Sequence, residues 1–284
     1  MRLARSLIGP VLLISMFVGS SCRDSDRVEM IRIATTTSVE NSGLLADLLP
    51  RFRQETGLEV QALAVGSGRA LNLARRGDVD AVITHDPTAE RIFIDEGHST
   101  LYRKIMYNEF VIAGPSIDPA QIGESATTGE SMRRIAEGRV PFASRGDDSG
   151  THTRERTLWA DVGINPEREW YLEAGQGMAG TLRIASERRA YVLTDRATLA
   201  QLGESVDLEI LHEGGVEMLN TYSVMVAADG DPSRIEAAKK LAVWLANGSG
   251  RAAIDAYRIR GSQAFIPWPE ETPRENPEDL PEEE

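Results

Sequence analysis

The chain of 284 residues has one cysteine, four histidines and few aromatic side chains. The lone Cys22 excludes an internal disulfide framework and any cysteine-based zinc site. The histidines (His85, His98, His152 and His212) have no ligand spacing such as H-E-x-x-H, so no metal site is expected. Positive charge is also scarce. Acids outnumber bases 44 to 31, a net of −13, and such a surface repels nucleic acid and anionic lipid. Long apolar runs are missing too: Leu7 to Val18 spans only about a dozen residues, short for a bilayer crossing. No G-x-S-x-G surrounds a serine, and Gly66-x-Gly68 lacks the third glycine and downstream acid of a dinucleotide fingerprint. Ser149 and His152 can share a helix face, but no third residue is evident to orient them. No carboxylate pair or Cys–His arrangement stands out, so no enzyme is expected.

The apolar content of 41% beside 26% charged residues is ordinary globular chemistry and supports a sizeable core. The two ends read differently from the body. Arg2 and Arg5, the apolar run and the small residues Gly19-Ser20-Ser21 before Cys22 read as an export signal over residues 1–21. Cys22 is then the candidate acylated first residue, although Gly19 stands where a lipobox usually has an aliphatic side chain. Plain cleavage or an uncleaved anchor helix are the alternatives. A periplasmic or cell-surface location is expected either way, with a lipid anchor as the only membrane contact. At the other end, residues 269–284 carry Pro269, Pro273, Pro277 and Pro281, eight acids and one base, which reads as a disordered acidic tail. Without both ends the net charge is about −8 on residues 22–268, so any anion bound there must be held by local dipoles against the global field.

The body opens with alternating signals. Met30 to Ala34 reads as a strand, and Leu44, Leu45, Leu48 and Phe52 lie at helical spacing up to Gly57. Leu58–Val65 is a second strand, Gly66-Ser67-Gly68 turns into a helix from Arg69, and Val79–Thr84 and Pro87–Glu96 repeat the pattern. Strand–helix alternation of this kind predicts a mainly parallel sheet with helices on both faces, whose ligands bind beyond the carboxyl ends of the strands. Strands are also expected at Tyr107–Gly114, Val140–Ser144, Ala190–Thr194, Leu208–Leu211 and Tyr222–Ala227, with a long helix through Ile235 and Leu245.

Four loops place small or hydroxyl residues at a strand end before a helix: Thr35 to Ser38, Val65 to Gly68, Ser144 to Thr151 and Gly175 to Gly177. Helix N-termini leave N–H groups unpaired and carry partial positive charge. Glycine lets backbone approach a ligand, hydroxyls add donors, and Arg145 supplies one formal charge in a fork suited to oxyanions. Each loop alone is equally a cap or a turn, and Arg145 is equally a partner for Asp147 or Asp148. Their coincidence at equivalent strand ends points to a shared, metal-free anion site.

The strings Thr35-Thr36-Thr37-Ser38, Ala64-Val65-Gly66-Ser67-Gly68-x-Ala70-Leu71 and Ser144-Arg145-Gly146-Asp147-Asp148-Ser149-Gly150-Thr151 closely resemble the extracytoplasmic tungstate-binding proteins of ABC transporters, the TupA-like family. Met106-Tyr107-Asn108-x-Phe110-Val111-Ile112, Gly175-Gln176-Gly177-Met178 and Leu193-Thr194-Asp195-Arg196 share the resemblance, which covers about residues 30–268. It implies an α/β, two-lobed type II periplasmic binding protein fold. Lobe 1 would be residues 30–113 plus 220–268 and lobe 2 residues 114–219, joined by crossing strands near 110–116 and 217–225. By the same resemblance Thr36, Thr37, Ser38, Ser67 and Gly68 bind the ligand from one lobe, and Ser144, Arg145, Ser149, Gly150 and Thr151 bind it from the other. Thr194 and Asp195 brace the site. The implied ligand is tungstate or molybdate with no cofactor, and the implied partners of this monomer are an ABC permease and its ATPase. Phosphate is the alternative ligand. Tungstate is unprotonated at neutral pH and wants donors only, whereas phosphate keeps a proton that an acceptor carboxylate can recognise. The orientation of Asp147 and Asp148 decides between them.

Overall fold

The computed structural model describes residues 30–275 and 277–278; the leader, Cys22 and the end of the acidic tail lie outside these residues. The first half runs β1 (Met30–Thr36), α1 (Thr37–Asn41), α2 (Leu44–Thr56), β2 (Glu59–Val65), α3 (Ser67–Arg75), β3 (Ala81–Thr84) and α4 (Pro87–Asp95). β1 lies between β2 and β3, parallel to both. β3 is buried along its whole length, as suits a strand covered on both faces. On α2, Leu44, Leu45, Leu48 and Phe52 face the core, and Gly57 ends the helix in a left-handed conformation, its N–H returning to Arg53.

β4 (Ser99–Gly114) follows, a strand of 16 residues that begins well before Tyr107. The Arg103-Lys104 pair hides its first half from hydropathy. Lys104 is nonetheless buried, its ammonium 4.7 Å from the Trp268 ring centroid. The second half of the chain adds α5 (Thr128–Glu137), β5 (Phe142–Ser144), α6 (Gly150–Asp161), β6 (Tyr171–Glu173), α7 (Met178–Arg188), β7 (Val192–Asp195), α8 (Arg196–Leu202) and β8 (Glu209–His212). β9 (Leu219–Ala227) then returns to the first half, followed by α9 (Pro232–Asn247), α10 (Ser249–Ala256), β10 (Arg258–Ile259), β11 (Ser262–Gln263) and β12 (Ile266–Pro267).

The parallel ladders are β2-β1-β3 in the first half and β5-β6 in the second, with a parallel bridge from Phe142 to Tyr191. The long connecting strands pair antiparallel. β4 runs beside β9 as far as the Glu109–Leu219 pair, then takes β7 as its partner from Phe110 onward. The apolar cores divide at the same point. One gathers side chains from residues 31–106 and 222–265 together with Ala197, and two others use only residues 110–218. We refer to these packing units as lobes 1 and 2. Among the described residues no helix is long and apolar enough to cross a membrane.

Residues 269–275 are not a disordered tail. The Arg274 guanidinium donates to the carbonyls of Ala246, Pro269 and Glu270 and to Asn247 Oδ1, and the Trp268 indole N–H donates to Pro273 O at 3.0 Å. The carbonyl of Arg274 accepts the Lys104 N–H at 3.0 Å. Composition suggests disorder because so little of the segment is apolar. One buried arginine satisfied by four acceptors supplies the order that hydrophobic burial does not.

Candidate functional site

Five helix starts matter here, and local chemistry sets each. Thr36 ends β1 and caps α1, its hydroxyl accepting the Val39 N–H at 3.4 Å. Gly66 precedes α3 and Gly177 precedes α7, and neither provides a side-chain cap; on α7 the Gly180 N–H turns back to Gly177 O, which leaves the N–H groups of Met178 and Ala179 available in its first turn. Ser149 caps α6 by accepting the His152 N–H, and Asp195 caps α8 by accepting the Thr198 N–H at 2.8 Å.

Four of these starts meet across one cleft of about 470 Å3 between the lobes. Lobe 1 contributes Thr37, Gly66, Gly68 and Arg69 to its walls, and lobe 2 contributes Arg145, Asp147, Asp148, Ser149 and Gly177. A Cβ built on Gly66, Gly68 or Gly177 would meet no atom within 4 Å, so packing within the protein does not require these glycines. The space they leave belongs to the cleft.

The β5–α6 loop is braced internally. Gly146 has φ +60°, and a Cβ there would lie 3.0 Å from Glu173 Cβ, so both backbone and space require glycine. Ser144 Oγ accepts the Gly146 N–H, and His152 Nδ1 accepts the Asp148 N–H at 3.0 Å. Asp147 has both oxygens engaged: Oδ2 receives Arg145 Nη2–H at 2.5 Å and Oδ1 receives the Ser149 N–H at 3.3 Å. Partial burial works to raise the Asp147 pKa, but the Ser149 hydroxyl and the Arg145 charge outweigh it and hold the carboxyl below its ordinary range. Asp148 points to solvent, near His152 and Arg156. The Ser149 hydroxyl is held by the backbone of His152, not by its ring.

Of the nine buried side-chain polar atoms without a partner among the described residues, five lie outside the donor loops (Arg32 Nε, Ser125 Oγ, Ser131 Oγ, Trp159 Nε1 and Arg251 Nε) and four lie within them. Ser67 Oγ, Arg145 Nε and Thr151 Oγ1 are all buried and bond to nothing among the described residues; Thr35 Oγ1, beside Thr36, is in the same state. Such groups are costly unless something satisfies them. The four come from both lobes, and each lies in one of the donor loops.

The structure thus brings Thr37, Gly68, Arg145 and Ser149 together on the cleft walls, while Thr36, Ser38, Ser67 and Thr151 are buried next to them in sequence. Ser144 and Gly150 do not line the cleft. The hydroxyl of Ser144 serves the loop itself, and Gly150 packs on His85, whose carbonyl oxygen and ring a Cβ there would meet at 3.1 to 3.3 Å. Thr194 and Asp195 also stand apart. The Thr194 hydroxyl donates to the Asp195 carbonyl at 3.3 Å, and the Asp195 carboxyl accepts from Thr198 and from Asn108 Nδ2. Asp195 belongs to a chain that crosses between the lobes on paired strand residues: Asn220 Nδ2 donates to Asn108 Oδ1 at 2.8 Å, and Asn220 Oδ1 meets His85 Nδ1 at 2.9 Å. Burial pushes His85 down to about 4, with the nearby Arg145 charge acting in the same direction, so the ring is neutral and its Nδ1–H donates to Asn220.

Arg69 escaped the sequence reading. It is exposed at the cleft rim in the first turn of α3, with no ion pair among the described residues. Its place directly after Gly66-Ser67-Gly68 was the available signal.

Two α/β lobes on crossing strands, with helix starts from each facing one cleft, define a two-lobed binding protein. The profile of the PBP superfamily domain matches residues 22–249. The tungstate-binding protein TupA of Peptoclostridium acidaminophilum is 34% identical over 282 residues, covering 94% of this chain and 99% of that protein. The crystal structure of the tungstate ABC transporter from Geobacter sulfurreducens is 40% identical with a TM-score of 0.73, covering 81% of this chain and 99% of that one. TupA from Desulfovibrio alaskensis G20 is 37% identical with a TM-score of 0.74, covering 84% of this chain and 98% of that one. The chain belongs to the PBP superfamily and, within it, to the TupA-like family of binding proteins.

Proposed function

We propose that this protein captures tungstate, or the similarly sized molybdate, in the interlobe cleft and delivers it to an ABC permease for import driven by an ATPase. The observation that carries this reading is the set of unsatisfied buried atoms, Ser67 Oγ from lobe 1 and Arg145 Nε and Thr151 Oγ1 from lobe 2. A tetrahedral dianion reaching both walls would supply acceptors to all three, together with the uncapped N–H groups of α3 and α7. The lobes would close on it by hinge motion about β4 and β9. Capture requires no covalent step and no metal cofactor.

Asp147 favours tungstate over phosphate. Both its oxygens already accept hydrogen bonds, from Arg145 and from the Ser149 N–H, and the Arg145 charge keeps it ionised, which makes it a poorer acceptor for a phosphate proton than a free carboxylate. The names of the relatives support the same ligand. We place the protein outside the cytoplasm, with residues 1–21 as its export signal and Cys22 as a lipid attachment point. Calorimetric titration with tungstate, molybdate, sulfate and phosphate tests the ligand. One-to-one tungstate binding that excess phosphate does not displace is expected. Phosphate displacing tungstate at similar concentration would overturn the reading.

A further inference from the structure

Gly150 opens α6 of lobe 2 and meets lobe 1 at His85, the residue after β3. A Cβ on Gly150 would stand 3.1 Å from His85 Cε1, 3.2 Å from the His85 carbonyl oxygen and 3.3 Å from His85 Nδ1. The backbone of Gly150 is helical and does not itself call for glycine. Alanine is the better helix former, so what stands against a side chain there is the approach of His85.

His85 has little freedom to give way. Its ring is buried, with Nδ1–H donating to Asn220 Oδ1 at 2.9 Å and its centroid 5.0 Å from that of the Tyr222 ring. Asn220 Nδ2 in turn donates to the Tyr222 hydroxyl at 2.7 Å. The His85 carbonyl is held from the other end of the same planar peptide unit, where the Asp86 N–H donates to Glu90 Oε1 at 3.1 Å. The Glu90 carboxyl is itself buried and accepts from Thr84 Oγ1 at 2.7 Å and from the Tyr102 hydroxyl at 3.0 Å. A side chain on Gly150 would therefore have to be accommodated by displacing α6, not His85.

The place of this contact gives it leverage. Gly150 and His85 line a cavity of about 150 Å3 together with Phe110, Leu219, Asn220 and Thr221 of the connecting strands, while the neighbouring Ser149 lines the anion cleft. The contact thus stands between the hinge strands and the donors. Rotation about a hinge moves distant points farthest, so a gap opened at Gly150 reaches Ser149 and Thr151 undiminished. We propose, resting on the reading of the cleft as a tungstate site, that Gly150 is a positioning residue for closure. Its bare backbone seats on His85, and that contact is the stop that sets how far apart the lobes stand when donors from both hold one anion. An added methyl at such a close-packed contact is not absorbed without displacement.

The experiment is titration calorimetry with sodium tungstate, with thermal melting, on the parent, Gly150→Ala, His85→Ala and the double variant. Gly150→Ala is expected to weaken tungstate binding by about tenfold or more, since the overpacked contact must be strained or opened in the closed state. Its ligand-free melting temperature should stay within about 3 °C of the parent's, because open lobes need not make the contact. The cost of Gly150→Ala should be smaller in the His85→Ala background, where two of the three close approaches are gone. In a tungstate-loaded crystal structure of Gly150→Ala, the start of α6 should stand farther from the His85 carbonyl than in the loaded parent, a readout that remains if His85→Ala fails to fold. Tungstate binding within about twofold of the parent, or an equal cost in both backgrounds, overturns the proposal and leaves the ligand reading standing. So does a loaded Gly150→Ala structure in which α6 keeps its parental distance. A ligand-free Gly150→Ala that melts far below the parent or does not fold assigns the contact to the fold and overturns the proposal as well. A parent that binds no tungstate overturns both.

Discussion

Arg145→Ala is the sharpest test of how the site handles charge. Arg145 is 5% exposed; Nη2 is bound to Asp147 and Nε is free. Losing a charge-assisted contact to the anion weakens binding by roughly 1.5–3 kcal/mol, about 10- to 150-fold in Kd. A second effect adds to it. Without the guanidinium, Asp147 presents an uncompensated carboxylate to the cleft, and removing one member of such a pair costs more than the pair contributes. The double variant Arg145→Ala/Asp147→Asn should therefore bind tungstate more tightly than Arg145→Ala alone, although both stay weaker than the parent. Titration calorimetry on the four proteins of this cycle gives the coupling directly. The reasoning fails if Arg145→Ala stays within twofold of the parent, or if adding Asp147→Asn weakens binding further.

Ser67→Ala removes a buried hydroxyl that has no partner, so the melting temperature should hold or rise while tungstate affinity falls by about tenfold, ~1.4 kcal/mol. A loss of stability without a loss of affinity would make Ser67 structural. Gly68→Val places its branched side chain in open cleft space; the fold should be unaffected and binding weakened by about tenfold or more, with circular dichroism and calorimetry as the two readouts. Burial raises the carboxyl of Glu155, on α6, to about 7, and that affects stability. The folded state binds that proton more tightly than the unfolded chain, so stability falls as pH rises from about 4.5, the ordinary value, to about 7, and the difference is constant above that. Relative to Glu155→Gln the parent should lose about 3 kcal/mol over that window, measured by denaturant unfolding.

Local chemistry made the donor loops readable. Thr36, Gly66, Ser149, Gly177 and Asp195 are helix starts, and cap preferences act within three or four residues of sequence. The β1 and β3 strands of the parallel β2-β1-β3 ladder were legible for the same kind of reason, since largely buried strands form apolar runs between turns. What stayed hidden depends on distant partners. Glu155 looks like one more acid on a helix until β6, only three residues long, brings Tyr171 to it. The engagement of Asp147 with both Arg145 and the Ser149 N–H follows from the twisted Gly146–Asp148 backbone, which residue types alone do not specify. Ser144 matched a donor motif, yet its hydroxyl turns to its own loop. Residues 269–275 misled by composition, because acceptors from two stretches of chain, 246–247 and 269–270, meet at Arg274.

The claim beneath all of this is that one dianion satisfies donors from both lobes at once. A crystal structure of the tungstate-soaked or co-crystallised protein, with the metal located by anomalous scattering, tests it most directly. The account predicts a single strong peak in the cleft, its oxygens within hydrogen-bonding distance of Ser67 Oγ, Arg145 Nε and Thr151 Oγ1. A peak bound by one lobe alone, or seated away from those three atoms, would contradict it.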